Sequence, residues 1–332
     1  MPSRFSSSLS LVAAIIALAT SGALRAEEGD LSHEALFAPN KTFPYFESCG
    51  ELYPNPPSVF DARNAAFLAQ CSMLIYVKEP DFIEETLANA GFPKVRFFEA
   101  EGTYAFLAEN ETQRVLVFRG TETGDRVDYW TDAQILQIDF GPIAKGKAHA
   151  GFARALQAVF LDIEAAASER ESSSDASASE KKRFWVAGHS LGAALATLFA
   201  IQSPDRLEAV YAIGSPRCLN AKLAKHAEKS LPVYRVINDN DIVPRVPARP
   251  LYRHVGSSYL ITSDRELLVD PPMLEKWEQR FRGHKAYLKT LFEENWSRSD
   301  FNAIPSDSFA DHSPRLYVEA LIALSQQGDA DG

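Results

Sequence analysis

The feature that most constrains this chain is a five-residue turn, Gly188-His189-Ser190-Leu191-Gly192, set between two apolar segments of different kind. Residues 184–187 are a short run of the type that forms a buried strand, and residues 191–201 are long, Ala-rich and helical. G-x-S-x-G arises by accident in roughly one chain in ten of this size, so its context carries the specificity. A strand that enters a helix through so short a turn holds the residue at its tip in strained backbone geometry. Side chains two positions either side of Ser190 would collide there, and Gly188 and Gly192 remove the collision. The turn therefore predicts a Ser190 hydroxyl at a helix start, where unpaired N–H groups favour negative charge developing nearby.

The rest of the chain has a rhythm that suits such a turn. Residues 95–98, 104–107 and 115–118 are strand-like runs with short connections, which predicts an antiparallel meander. Beyond residue 150 helix and strand alternate. Phe152, Leu156, Val159, Phe160 and Ile163 form one helical face, and strands at 210–213 and 233–237 enclose a helical stretch at 221–229. The expected fold is α/β: a mostly parallel central sheet with helices on both faces and an antiparallel N-terminal part. No internal repeat or break suggests a second domain, so residues 27–332 read as one domain, with 27–59, rich in Pro and Phe, as an N-terminal arm. At 332 residues and 46% hydrophobic, the chain can bury a sizeable core.

Residues 1–26 read as a secretory signal peptide: Arg4, an apolar run at 11–19 too short to span a bilayer, then small residues before cleavage after Ala23 or Ala26. Export follows, to the medium or a periplasm. A net charge of −10 gives no basic footprint for nucleic acid and does not invite anionic headgroups. Cys49, Cys71 and Cys218 have no metal-site spacing. Export would permit a Cys49–Cys71 bridge, but spacing cannot establish one, and buried thiols are the default expectation.

A serine needs a base, and the base needs a third group to orient it. The acid should follow a later strand, and Asn238-Asp239-Asn240-Asp241 follows the run at 233–237, which leaves Asp239 and Asp241 as candidates. Three histidines come after them. His254 precedes an apparent strand at 258–261, and His284 lies within a helical stretch at 274–292 that would fix it on a helix side. His312 ends a polar loop before Ser313 and Pro314 open the C-terminal helix, and such a loop lets a base reach the nucleophile.

Four segments then appear together and in order: Phe118-Arg119-Gly120-Thr121, the Ser190 turn, Gly214-Ser215-Pro216-Arg217 and Asp241-Ile242-Val243-Pro244, with His149-Ala150-Gly151-Phe152 as a fifth. Over residues 95–320 the chain resembles the class 3 (fungal-type) lipase family of the α/β-hydrolase superfamily. The resemblance implies Ser190, Asp241 and His312 as a catalytic triad. It also implies Thr121 as an oxyanion donor beside the Leu191 N–H, and hydrolysis of carboxylic esters, lipids such as acylglycerols included. It implies no cofactor or metal, no obligate protein partner, and a transient contact with a lipid interface. In that family the segment after Thr121 carries an apolar lid. Residues 122–132 instead hold four acidic residues and few large aliphatics around Trp130, which argues against strong interfacial activation. A serine amidase or peptidase, and a non-catalytic binding protein of the same fold, are the competing readings.

Overall fold

The computed structural model describes residues 30–49, 51–53, 59–121, 136–140, 145–169, 182–204, 207–229, 231–291 and 304–328. The signal-like residues 1–26 and the segment 122–132 lie outside them.

Three helices come first: α1 (His33–Phe37), α2 (Ala62–Leu74), continued by a 3-10 turn over Ile75–Val77, and α3 (Pro80–Asn89). Strands β1 (Lys94–Ala100), β2 (Thr103–Glu109) and β3 (Gln113–Phe118) then form the expected antiparallel meander. A separate two-stranded sheet, β4 (Gln137–Asp139) with β5 (Lys147–His149), leads into the long helix α4 (Ala150–Ser168). From β3 the main sheet becomes parallel through β6 (Arg183–His189), β7 (Ala209–Ile213), β8 (Val233–Asn238) and β9 (Ser257–Ile261). Helices α5 (Leu191–Gln202) and α6 (Ala221–Ala227) follow β6 and β7. β10 (Leu267–Val269) closes the eight-stranded sheet antiparallel to β9. Then come α7 (Met273–Thr290), α8 (Asp307–Ala310) and α9 (Pro314–Gly328).

The sheet is buried on both faces, and β2 shows how. Tyr104, Phe106 and Ala108 join a core with α2 and α9, while Ala105 and Leu107 join the opposite core with α4 and α5. A strand covered on both sides has no polar face, which is why β6 and β7 read as unbroken apolar runs. The parallel strands end together beside α9, and this fixes where side chains following β6, β7 and β8 converge.

The N-terminal arm carries one short helix, α1. Ser32 caps α1 by accepting from the Ala35 N–H (3.2 Å), and Leu36 and Phe37 pack against Leu316, Phe309 and Tyr287. Cys49, Cys71 and Cys218 are buried as thiols, and the Gln70 amide lies 2.9 Å from the Cys49 Sγ.

Candidate active site

Ser190 stands between β6 and α5 with φ 61° and ψ −127°, a conformation costly for any residue with a side chain. It persists because the surroundings leave no alternative. A Cβ on Gly188 would lie 2.3 Å from the Gly192 carbonyl carbon, and one on Gly192 would lie 2.0 Å from the Phe118 oxygen. Glycine at both positions lets the strand, the helix and the end of β3 approach this closely. The Ser190 N–H donates to the Ile213 carbonyl (2.9 Å), tying the turn to β7.

His312 approaches from the loop between α8 and α9. Its Nδ1 lies 2.8 Å from Asp241 Oδ2 and its Nε2 lies 2.8 Å from Ser190 Oγ. A carboxylate only accepts, so Nδ1 carries the proton and Nε2 is left to accept from the Ser190 hydroxyl. Asp241 also receives the Tyr317 hydroxyl on Oδ2 (2.6 Å) and the Val243 N–H on Oδ1 (2.8 Å). It is 1% exposed, and Ser190 and His312 are fully buried. Three donors on one buried carboxylate fix its position and orientation. Gly214, at φ 57° after β7, makes room for the pair: a Cβ there would sit 3.1 Å from both Asp241 Oδ2 and the His312 ring.

The backbone behind the histidine is held as well. His189 donates from Nε2 to the His312 carbonyl (2.9 Å), so its Nδ1 accepts from the Tyr76 hydroxyl (3.1 Å), and the two imidazoles lie 4.5 Å apart. The Arg119-Gly120-Thr121 loop runs beside Ser190, with a Cβ on Gly120 falling 3.1 Å from the Ser190 Cβ. Arg217 braces the segment after Asp241 by donating to the Arg245 and Pro247 carbonyls.

The structure thus gathers Ser190, Asp241 and His312, sets Leu191 at the first position of α5, and places Thr121 one residue from the Gly120 contact. The other candidates are elsewhere. His254 Nε2 donates to the Pro244 carbonyl (2.8 Å), and burial, then the Arg235 charge, hold its pKa well below the ordinary histidine value. His284 is paired with Asp307 (3.0 Å) and is half exposed. Asp239 sits at φ 34°, and burial followed by the Asp307 charge pushes its carboxyl up to about 7. His149 stacks on Phe152 at 4.0 Å, and burial lowers its pKa to about 4. Sequence reasoning missed Tyr317 and Tyr76. A tyrosine in an apolar helix immediately after His312 was the available signal, because a buried phenol needs a partner for its hydroxyl.

A model of the family described as lipase (class 3) matches residues 115–251, the stretch from β3 through the Asp241 loop. A triacylglycerol lipase of Arabidopsis thaliana is 33% identical over 188 residues, covering 43% of this chain and 36% of that protein. A secreted mono- and diacylglycerol lipase of Penicillium cyclopium is 41% identical over 88 residues, covering 25% of this chain and 29% of that protein. The chain therefore spans well under half the length of these curated relatives. The crystal structure of a lipase from Rhizopus microsporus var. chinensis superposes with a TM-score of 0.50 at 22% identity, covering 64% of this chain and 82% of that one. That likeness shows the α/β-hydrolase fold. Residues 115–251 are thus similar to the class 3 lipase family, whose model they match.

Proposed function

We propose that the chain is a serine hydrolase of carboxylic esters, acting on acyl esters such as acylglycerols through an acyl-enzyme. The observation that carries this reading is the continuous path from Ser190 Oγ through the His312 imidazole to Asp241, at 2.8 Å and 2.8 Å. His312 takes the Ser190 proton as Oγ attacks the ester carbonyl, and Asp241 steadies the imidazolium. The N–H of Leu191 has no partner within its helix, and it receives the oxyanion together with Thr121. His312 returns its proton to the leaving alcohol. A water molecule, deprotonated by the same imidazole, then releases the carboxylic acid and restores Ser190. Because Ser190 is buried, substrate reaches it only when the groups covering it move.

Glyceryl esters enter from the relatives, named as lipases of triacylglycerols and of mono- and diacylglycerols. Labelling with a fluorophosphonate, with Ser190→Ala as control, tests the nucleophile. Turnover of an ester against its matching amide then tests the leaving group. Labelling of Ser190 with faster cleavage of the ester is expected. An unlabelled protein, or preference for the amide, overturns the reading.

The same proposal includes export to the medium, supported by residues 1–26 and by the Penicillium relative, which is named as secreted. Exported protein should begin at Leu24 or Glu27, and N-terminal sequencing that finds residue 4 intact contradicts cleavage.

A further inference from the structure

Helix α7 is built inside out. Leu274, Trp277 and Phe281 are 73%, 61% and 76% exposed, and Met273 and Leu288 are exposed beside them. At 100° per residue these five fall within an arc of about 100°, an apolar stripe along the helix that also holds the exposed His284 between Phe281 and Leu288. The side that meets the protein is polar or small, with Gln279 and Gly283 as its buried residues. An ordinary surface helix has the opposite arrangement, because burying the apolar stripe is what holds it to the core. A stripe turned outward through four turns marks a surface that meets something apolar.

Its charge names the partner. The chain carries −10 overall, yet α7 carries five Lys and Arg against two Glu, a local net of +3. On the helix wheel Lys285, Lys289 and Arg282 border one side of the stripe, with Glu278 among them, and Arg280 borders the other. An apolar arc with aromatic residues between cationic rims is the pattern of a helix lying in the headgroup layer of a membrane, with Trp and Phe reaching toward the acyl chains. Among the described residues no helix is long and apolar enough to cross a membrane.

The stripe is also tied to the catalytic loop. His284 bonds Asp307, and the Tyr287 hydroxyl donates to the Pro305 carbonyl. Both contacts fall within eight residues of His312. A Cβ on Gly283 would lie 2.1 Å from Asp239 Oδ2, so α7 rests directly on the loop between β8 and Asp241.

We propose that α7 is the surface by which this protein docks on anionic phospholipid, laying its Leu274–Trp277–Phe281 stripe into the interface with the basic rims against the headgroups. The proposal deepens the ester-hydrolase reading and rests on it for its purpose, but docking can be measured without turnover. The Ser190→Ala protein would be titrated with vesicles of phosphatidylcholine alone and with vesicles holding about a third phosphatidylglycerol. Binding to the anionic vesicles should be at least about tenfold tighter, and added salt should weaken it. Trp277→Ser with Phe281→Ser should cost a further factor of about ten or more. Lys285→Glu with Lys289→Glu should remove the preference for anionic vesicles. In the chain with Ser190 intact, Trp277→Ser/Phe281→Ser should leave turnover of a soluble ester within about twofold, since neither side chain touches the triad. Equal binding to both vesicle types, or binding that survives the Trp277 and Phe281 substitutions, overturns the proposal. So does a dimer that the same substitutions dissociate, since a second copy would then be the occupant. If vesicle binding behaves as expected but no soluble ester is cleaved, the docking surface stands and the enzymatic reading falls.

Discussion

Asp241 and Asp239 leave the same strand end two positions apart, the first buried and the second partly so, and meet different partners. Asp241 receives His312, Tyr317 and the Val243 N–H. Asp239 lies in an acidic seat beneath α7 with Asp307 and Asp311, and its Oδ1 has no hydrogen-bond partner among the described residues. One carboxylate is stabilised by donors aimed at it, while the other is raised to about 7 by burial and by its acidic neighbours. The contrast shows that burial alone does not decide how a carboxylate is held. What separates the two is a set of donors, two of which, His312 and Tyr317, arrive from α9 and the loop before it, far away in sequence.

The contrast breaks most sharply by substitution at each acid. Asp241→Asn should lower ester turnover by ~10⁴-fold with the fold intact, because the imidazole loses its orientation and its counter-charge. Asp239→Asn should keep turnover within a few-fold. A large loss at Asp239, measured as kcat on a soluble ester, would erase the distinction.

Tyr317→Phe sharpens it by removing one donor from the favoured carboxylate. A hydrogen bond to a buried charge is worth ~1.5–3 kcal/mol, so urea unfolding should register a loss of that order. As a positioning residue, Tyr317 should affect kcat by about tenfold and leave KM nearly unchanged. A change confined to stability would make it a structural bond only.

The penalised carboxylate has its own signature in pH. With the folded value near 7 and the ordinary value at 3.8, the folded protein holds more protons than the unfolded chain between those limits. Stability from this group therefore falls as pH rises through that window, and the cost is complete above about pH 7. Asp239→Asn should stabilise the protein by ~1–2 kcal/mol at pH 8 and by almost nothing near pH 4, a figure reduced for the water that reaches this partly exposed group. Equal gains at the two pH values would contradict the raised carboxyl.

The smallest effects belong to the histidines outside the site. His254→Ala gives up its bond to Pro244 and should cost stability of ~1 kcal/mol, and His284→Ala less. Each should retain turnover within a few-fold.

Much of this arrangement is legible in the sequence where the signal is local. The Ser190 turn, the meander of β1 to β3 and the start of α9 at Pro314 all rest on neighbours in the chain, and each lies where the pattern puts it. The three-residue strands β4, β5 and β10 are too short to show a period. Residue type left Asp239 and Asp241 equivalent, because the difference between them is made by Tyr317 and His312, more than seventy residues further on. The outward stripe of α7 was hidden for a related reason. Periodicity reports that a helix has an apolar face but not which way that face is turned, and an acidic total conceals a basic helix.

The central claim is that His312 is the base for Ser190, and turnover of a soluble short-chain ester by folded single and double variants tests it most directly. Ser190→Ala and His312→Ala should each lose ~10⁴-fold or more, and the double variant little beyond either, because triad members act as a unit. If His312→Ala keeps more than a few per cent of activity while His284→Ala loses it, the account is wrong about the base.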